Sequence, residues 1–249
     1  MSVEDFVSFS KEFNISPSHI IRETLSSFVD AVSPDDIYAS VSKEDDSFFL
    51  NVRATLYDDS GREQKLTIEF VFNRKDKSVE VEHIAFILNK ENQGNGLSRK
   101  VMKEALDLYQ SIGVSEVTLL ASLANGPYVW AKYGFVPEDS AKCRALAESL
   151  SYSVSDLPEL FPPGSQTHKE LSGLIEELKT DPKALWGIAG YSSPVADSTY
   201  IDPTTKKPMK AGKALLLKGA DLYGKADLTD PLTVNRWKGY CNTVPNGDK

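Results

Sequence analysis

The sequence predicts an α+β fold: a mixed, largely antiparallel sheet flanked by helices, followed by a mostly helical and irregular extension. Three observations carry this. Three extended runs between residues 48 and 88 are separated by turn signals. A strand, a glycine-containing stretch, a helix pattern and a second strand then succeed one another up to residue 121. Beyond about residue 138 strand signals stop and helical spacing takes over.

Ser16-Pro17 offers a capping hydroxyl and then a proline for a first turn. Ile20, Ile21, Leu25, Phe28, Val29 and Val32 follow at helical spacing, so a helix is expected over this stretch. Phe48 to Leu56 alternates and is rich in Phe and Val. Asp58-Asp59-Ser60-Gly61 marks a turn, and Leu66 to Phe72 returns as the second arm of a hairpin. Lys75-Asp76-Lys77 marks the next turn. Val79 to Leu88 becomes more apolar towards its end, as a central strand does. Asn92-Gln93-Gly94-Asn95-Gly96 leads into Leu97, Val101, Met102, Ala105, Leu106 and Tyr109, an amphipathic helix ending near Gly113. Glu116 to Ala121 is again strand-like, which makes a βαβ unit with neighbouring parallel strands. Gly126 to Tyr133 reads as a short helix before a strand at Gly134-Phe135-Val136. Helices are expected near 139–152 and 166–179, an irregular stretch over 190–212, and short helices over Ala214–Leu222 and Pro231–Tyr240. The expected division is a domain over 1–140 and an extension over 141–249.

At 249 residues, 41% apolar and 26% charged, the chain has ordinary globular composition and can build a real core. Its two cysteines, Cys143 and Cys241, form no CxxC pair, which argues against a structural zinc site or a disulfide scaffold. The N-terminal MSVEDFVSFSKEF lacks the basic and apolar regions of a secretory signal, and no apolar run approaches a membrane span. A cytoplasmic protein without a membrane partner is expected. The net charge of −8 is uneven: residues 181–249 carry +3 and the first 180 carry −11. The acidic front part argues against nucleic acid. Lys206, Lys207, Lys210, Lys213 and Lys218 form a basic stretch that reads as a solvated loop, with a phosphate-contacting patch as the second reading.

A loop between a strand and a helix presents unpaired N–H groups and the positive end of the helix dipole, an anion site suited to phosphate. Glycines let the backbone approach closely. Gln93-Gly94-Asn95-Gly96-Leu97-Ser98 is therefore expected to bind a phosphorylated ligand. No Gly-Lys-Ser/Thr is present for a Walker A loop, and Arg99 stands where a dinucleotide fingerprint needs its third glycine.

Gln93-x-x-Gly96-x-Ser98 resembles the R/Q-x-x-G-x-G/A loop of the GNAT superfamily of N-acetyltransferases. Some thirty residues on, Tyr128-Val129-Trp130-Ala131-Lys132-Tyr133-Gly134-Phe135 resembles the Y-x-K-x-G-F motif of that family. The resemblance covers about residues 35–140 and implies an acyl-CoA cofactor, acetyl-CoA first. It implies that the amides of Gln93, Gly94, Asn95, Gly96, Leu97 and Ser98 hold the pyrophosphate. It places Phe86, Ile87 and Leu88 along the pantetheine arm and Asn125 on the cofactor. The acceptor it implies is an amine of an unidentified protein or small molecule. The stretch from Ala211 to Trp237 resembles tails of phage-encoded proteins of this type.

Acetyl transfer to an amine needs a base for the amine and a proton for the departing thiolate. Strict alternation places Glu80 and Glu82 on one face with Ile84, Phe86 and Leu88, and Glu82 is the candidate base. His83 falls on the opposite face and reads as a packed or surface residue rather than a catalyst. Aligned on Lys132, Gly134 and Phe135, the tyrosine position of the family motif holds Trp130, which the resemblance places among the cofactor-binding residues. An indole donates a hydrogen bond but is no general acid. Either water protonates the thiolate or the site is not catalytic, and the nearby Tyr128 is the second catalytic candidate beside Glu82. Tyr128 and Tyr133 are expected on other helix faces than Trp130. The alternative reading is a non-catalytic GNAT-fold binding or structural protein.

Overall fold

The computed structural model describes residues 3–24, 37–57, 63–75, 78–88, 97–121, 126–202, 205–219 and 221–243. In chain order the elements begin with α1 (Val3–Phe13), α2 (Pro17–Thr24), β1 (Ile37–Glu44), β2 (Ser47–Tyr57), β3 (Glu63–Lys75) and β4 (Ser78–Leu88). Then come α3 (Leu97–Ile112), β5 (Val114–Ala121), α4 (Gly126–Tyr133), β6 (Val136–Pro137) and α5 (Ser140–Asp156). The chain continues with α6 (Gln166–Leu178), α7 (Ala184–Gly190), α8 (Ala211–Gly219), β7 (Leu222–Asp227) and α9 (Pro231–Cys241). The fold is α+β, with seven strands in the order β1-β2-β3-β4-β5-β7-β6, mostly antiparallel. Two compact units are present. One comprises Met1–Thr118 with Asp227–Gly247, the other Leu119–Ala226 with Asp248–Lys249.

In the first unit β1 to β4 form an antiparallel meander, with Val41 opposite Leu50, Leu50 opposite Phe70, and Phe72 opposite Val81. Alternate residues of these strands point to one face, where Phe48, Leu50, Val52, Ile68, Phe70, Phe72, Val79 and Val81 are buried. Phe9 and Phe13 of α1 lie on that face, with Phe9 meeting Phe48 and Phe72 edge-on at 5.5 and 5.3 Å between centroids. Each such ring contributes about 2–3 kcal/mol by leaving water. α3 contributes Val101, Met102, Ala105, Leu106, Leu108 and Tyr109 to the core. α9 packs on α3, where the fully buried Trp237 donates its indole N–H to the Met102 carbonyl at 2.9 Å. Arg99 reinforces the contact, donating to the Thr243 carbonyl at 2.7 Å beside the Tyr240 ring.

β4 carries one more residue than its partner. Glu69 stands opposite Ala85 and Phe70 opposite His83, so Ile84 is left over as a bulge. This corrects the single alternation expected from Glu80 through Leu88. Glu82 pairs with Val71, whereas Phe86 pairs with Ile68, which belongs to the other pleat of β3.

In the second unit β6 pairs antiparallel with β7, with Val136 opposite Lys225 and Pro137 opposite Gly224. Helix starts follow their capping chemistry. Asp139 accepts from the amides of Ala141 and Lys142 ahead of α5, and Ser165 accepts from that of His168 ahead of α6. Leu146, Leu150, Phe161, Leu171, Leu185, Ile188 and Leu215 are among the residues of its core.

Three expectations are revised. Strands do not stop near 138, because β7 forms at Leu222–Asp227. Its inward residues are Leu222, Gly224 and Ala226, and the last two are too small to signal a strand. The units do not divide at 140/141: residues 119–226 form the second, and residues 227–247 return to the first. Helices α1 and α7 and strand β1 form where no element was expected. Leu25, Phe28, Val29 and Val32, and the turns at 58–61 and 76–77, lie outside the described residues.

Gly212 shows how closely the second unit is packed. A Cβ built there would sit 1.9 Å from the Ile188 carbonyl oxygen, a backbone atom that cannot step aside. Gly212→Ala is therefore expected to cost about 3 kcal/mol or more, read as a lowered urea midpoint. A midpoint unchanged from wild type would contradict this contact.

Candidate functional site

The predicted cofactor-binding residues of the first unit lie at the end of β4 and the start of α3. Phe86, Ile87 and Leu88 close β4, opposite Ile68, Thr67 and Leu66 of β3. β5 is the next strand beyond β4. Leu97 is the first residue of the 16-residue helix α3 and Ser98 the second, so both belong to the turn whose amides lack helical acceptors. Gln93, Gly94, Asn95, Gly96 and Asn125 lie outside the described residues. In the chain, β4 precedes residues 89–96 and α3 follows them.

Glu82 is exposed, in the row of Val71 and Phe49. The same pleats of β2 and β3 hold Asn51 hydrogen-bonded to Glu69, and Ser47 donating to Asn73 at 2.6 Å. That face mixes these polar side chains with the buried Val71, and Glu82 itself is open to solvent. His83 is set differently. It is 4% exposed, 5.1 Å from the Phe70 ring between centroids, and hydrogen-bonded through Nε2 to the Tyr109 hydroxyl at 2.5 Å. Burial lowers the His83 pKa to about 3 and raises that of Tyr109 well above its ordinary value. Both groups are therefore neutral at pH 7, which agrees with the reading of His83 as a packed residue.

The second-motif residues belong to the second unit. Gly134 has φ +102°, open to glycine and strained for other residues. Phe135, next in the chain, is fully buried, and its carbonyl accepts the Trp186 indole N–H at 3.1 Å. Trp130 is half-buried, 5.1 Å from the Phe135 ring and 5.6 Å from that of Tyr133 between centroids. The expectation that Tyr133 leaves the face of Trp130 is corrected: residues three apart on a helix are neighbours. Tyr128 is half-buried, with the Lys213 ammonium 5.5 Å from its ring centroid. Lys213 is itself fixed by a 2.7 Å ion pair with Asp202, and the two side chains are only 15% and 8% exposed. Sequence reasoning placed Lys213 in a solvated loop. The contact joins residues remote in sequence, and no local pattern announces it.

Glu82 belongs to the first unit and Tyr128 to the second. A cavity of about 620 Å³ in the first unit is lined by Phe13, Asn14, His19, Arg74 and Ser111 among others, and by none of the predicted site residues. Burial pushes the Cys241 thiol up to about 12, and Cys143 is also raised, so neither is poised as a nucleophile. Among the described residues no His, Cys, Asp and Glu side chains group to hold a metal, and no helix is long and apolar enough to cross a membrane.

Comparison with models of known families, with curated proteins and with solved structures finds no match to this chain.

The His83 setting has a pH signature. The unfolded chain takes up a proton on this imidazole near its ordinary value of 6.5, while the folded chain resists until about 3. The unfolded state then binds more protons between those values. This contribution to stability is complete above pH 6.5 and falls towards pH 3, by up to about 1.4 kcal/mol per pH unit. Denaturant unfolding of the wild type and His83→Gln at pH 7, 6 and 5 checks it. The stability difference between the two should shrink as pH falls, and parallel curves would contradict it.

Proposed function

We propose that this chain binds an acyl-CoA, acetyl-CoA first, and moves its acetyl group to an amine of a protein or small-molecule acceptor. One observation carries the reading. The neighbouring strands β4 and β5 are connected through a stretch containing Gly94 and Gly96 and then α3, whose first turn contains Leu97 and Ser98. That arrangement suits a pyrophosphate: close backbone approach, unpaired amides and the positive helix end act together.

On this reading each candidate residue has a role. The amides of 93–98 would bind the pyrophosphate, and the backbone of Phe86–Leu88 would lie along the pantetheine arm. Asn125 would add a polar contact to the cofactor. The thioester supplies an activated acetyl group whose leaving thiolate is weakly basic. Glu82, exposed and hydrated, would accept the proton of the acceptor ammonium. Tyr128 carries a hydroxyl able to donate to sulfur, and Trp130 can donate only an indole hydrogen bond.

A second reading, a GNAT-fold module that binds without transfer, is favoured by one observation. Trp130 packs on Tyr133 and Phe135 at the position where the family motif has a tyrosine.

Calorimetric titration with acetyl-CoA, followed by thiol-release assays on a panel of amines and peptides at pH 6–9, separates the readings. Transferase function predicts saturable binding and thiol release, with Gly96→Trp abolishing both. Binding without release points to the module. No binding removes both readings.

A further inference from the structure

β4 and α3 flank the glycine stretch, and one buried polar contact ties them together. His83 is the last residue of β4 in register before the Ile84 bulge. Its Nε2 meets the Tyr109 hydroxyl of α3 at 2.5 Å, inside a layer formed with Phe70. Tyr109 is 1% exposed and His83 4%. A hydrogen bond in so dry a setting is directional, and leaving either partner unmade there is costly. The apolar layer around it fixes distance between strand and helix but tolerates sliding. The polar pair fixes register.

That register governs the last residues of the strand. Without the extra residue, Phe86 would stand opposite Thr67, whereas with it Phe86 stands opposite Ile68. The bulge therefore selects which backbone groups of the last three β4 residues are used by β3. It also sets where the strand ends relative to α3. Residues 89–96 connect Leu88 to Leu97, so a shift of the strand end moves the point from which that connection starts.

We propose that His83 and Tyr109 are positioning residues: their hydrogen bond holds the bulge of β4 in register against α3, and thereby shapes the backbone that receives the acyl-CoA. This rests on the proposed function for its ligand, but not for its geometry. Neither residue is placed on the ligand itself.

The test uses the full chain with Tyr109→Phe, which removes one oxygen, and His83→Gln, whose amide can still bond the hydroxyl. Phe9→Leu, a core change under β2 and β3, serves as a control of comparable destabilisation. Amide hydrogen exchange and acetyl-CoA calorimetry are read on each. Tyr109→Phe should speed exchange at Ala85–Leu88 and weaken acetyl-CoA binding, each by about tenfold. His83→Gln should lie between Tyr109→Phe and wild type, and Phe9→Leu should match wild type in both readings at those positions. If Tyr109→Phe does not fold, His83→Gln against Phe9→Leu decides on the same readings. Exchange and affinity indistinguishable from the control would overturn the proposal. If the wild type binds no acetyl-CoA, the functional reading falls, and exchange at Ala85–Leu88 alone decides the positioning role.

Discussion

Strand β4 is held from two sides by different physics. Along its edge, antiparallel hydrogen bonds to β3 fix it by backbone geometry. Across its inner face the His83–Tyr109 hydrogen bond joins it to α3, with the Phe70 ring 5.1 Å from that of His83 and 6.4 Å from that of Tyr109 between centroids. Release of this strand would separate the meander from the helix beyond the glycine stretch. The rest of the first unit accumulates on this joint: α1 seals the far end of the same face with Phe9 and Phe13, and α9 covers α3 through Trp237.

The polar contacts divide into those that fix structure and those that decorate it. The Lys213–Asp202 pair is withdrawn from water, where loss of one partner strands a buried charge and costs several kcal/mol. The contact between Lys179 and Glu176 is exposed on Glu176, and pairs of this kind contribute little. The same distinction separates His83, locked and neutral in the core, from Glu82, one residue earlier and exposed to solvent. Adjacent positions on one strand therefore meet opposite surroundings, one packed in the core and one open to solvent.

Much of the meander was legible because β2, β3 and the first half of β4 alternate large apolar residues with polar ones. Helices α3, α5, α6 and α9 were legible from their apolar spacing and capping residues. Other features left weak traces. β1 buries a single large apolar residue, Val41, between serines and lysine, and β7 buries Gly224 and Ala226. Alternation counts parity, so one extra residue at Ile84 reverses it without any mark in composition. The interrupted first unit was invisible for a related reason. Nothing local in Leu228 says that its amide bonds the Ser115 carbonyl, more than a hundred residues earlier. Of the candidate site, the strand end and helix start were legible, while the partners of Tyr128 and His83 required the fold.

A ligand received where β4 hands over to α3 would shield the backbone at that junction. Hydrogen exchange on the full chain, with and without saturating acetyl-CoA, reads this shielding residue by residue. Exchange should slow at Phe86–Leu88 and at residues 93–98, with the start of β4 unchanged. Unaltered exchange across residues 86–98, or protection confined to other parts of the chain, would place the ligand elsewhere and contradict the site.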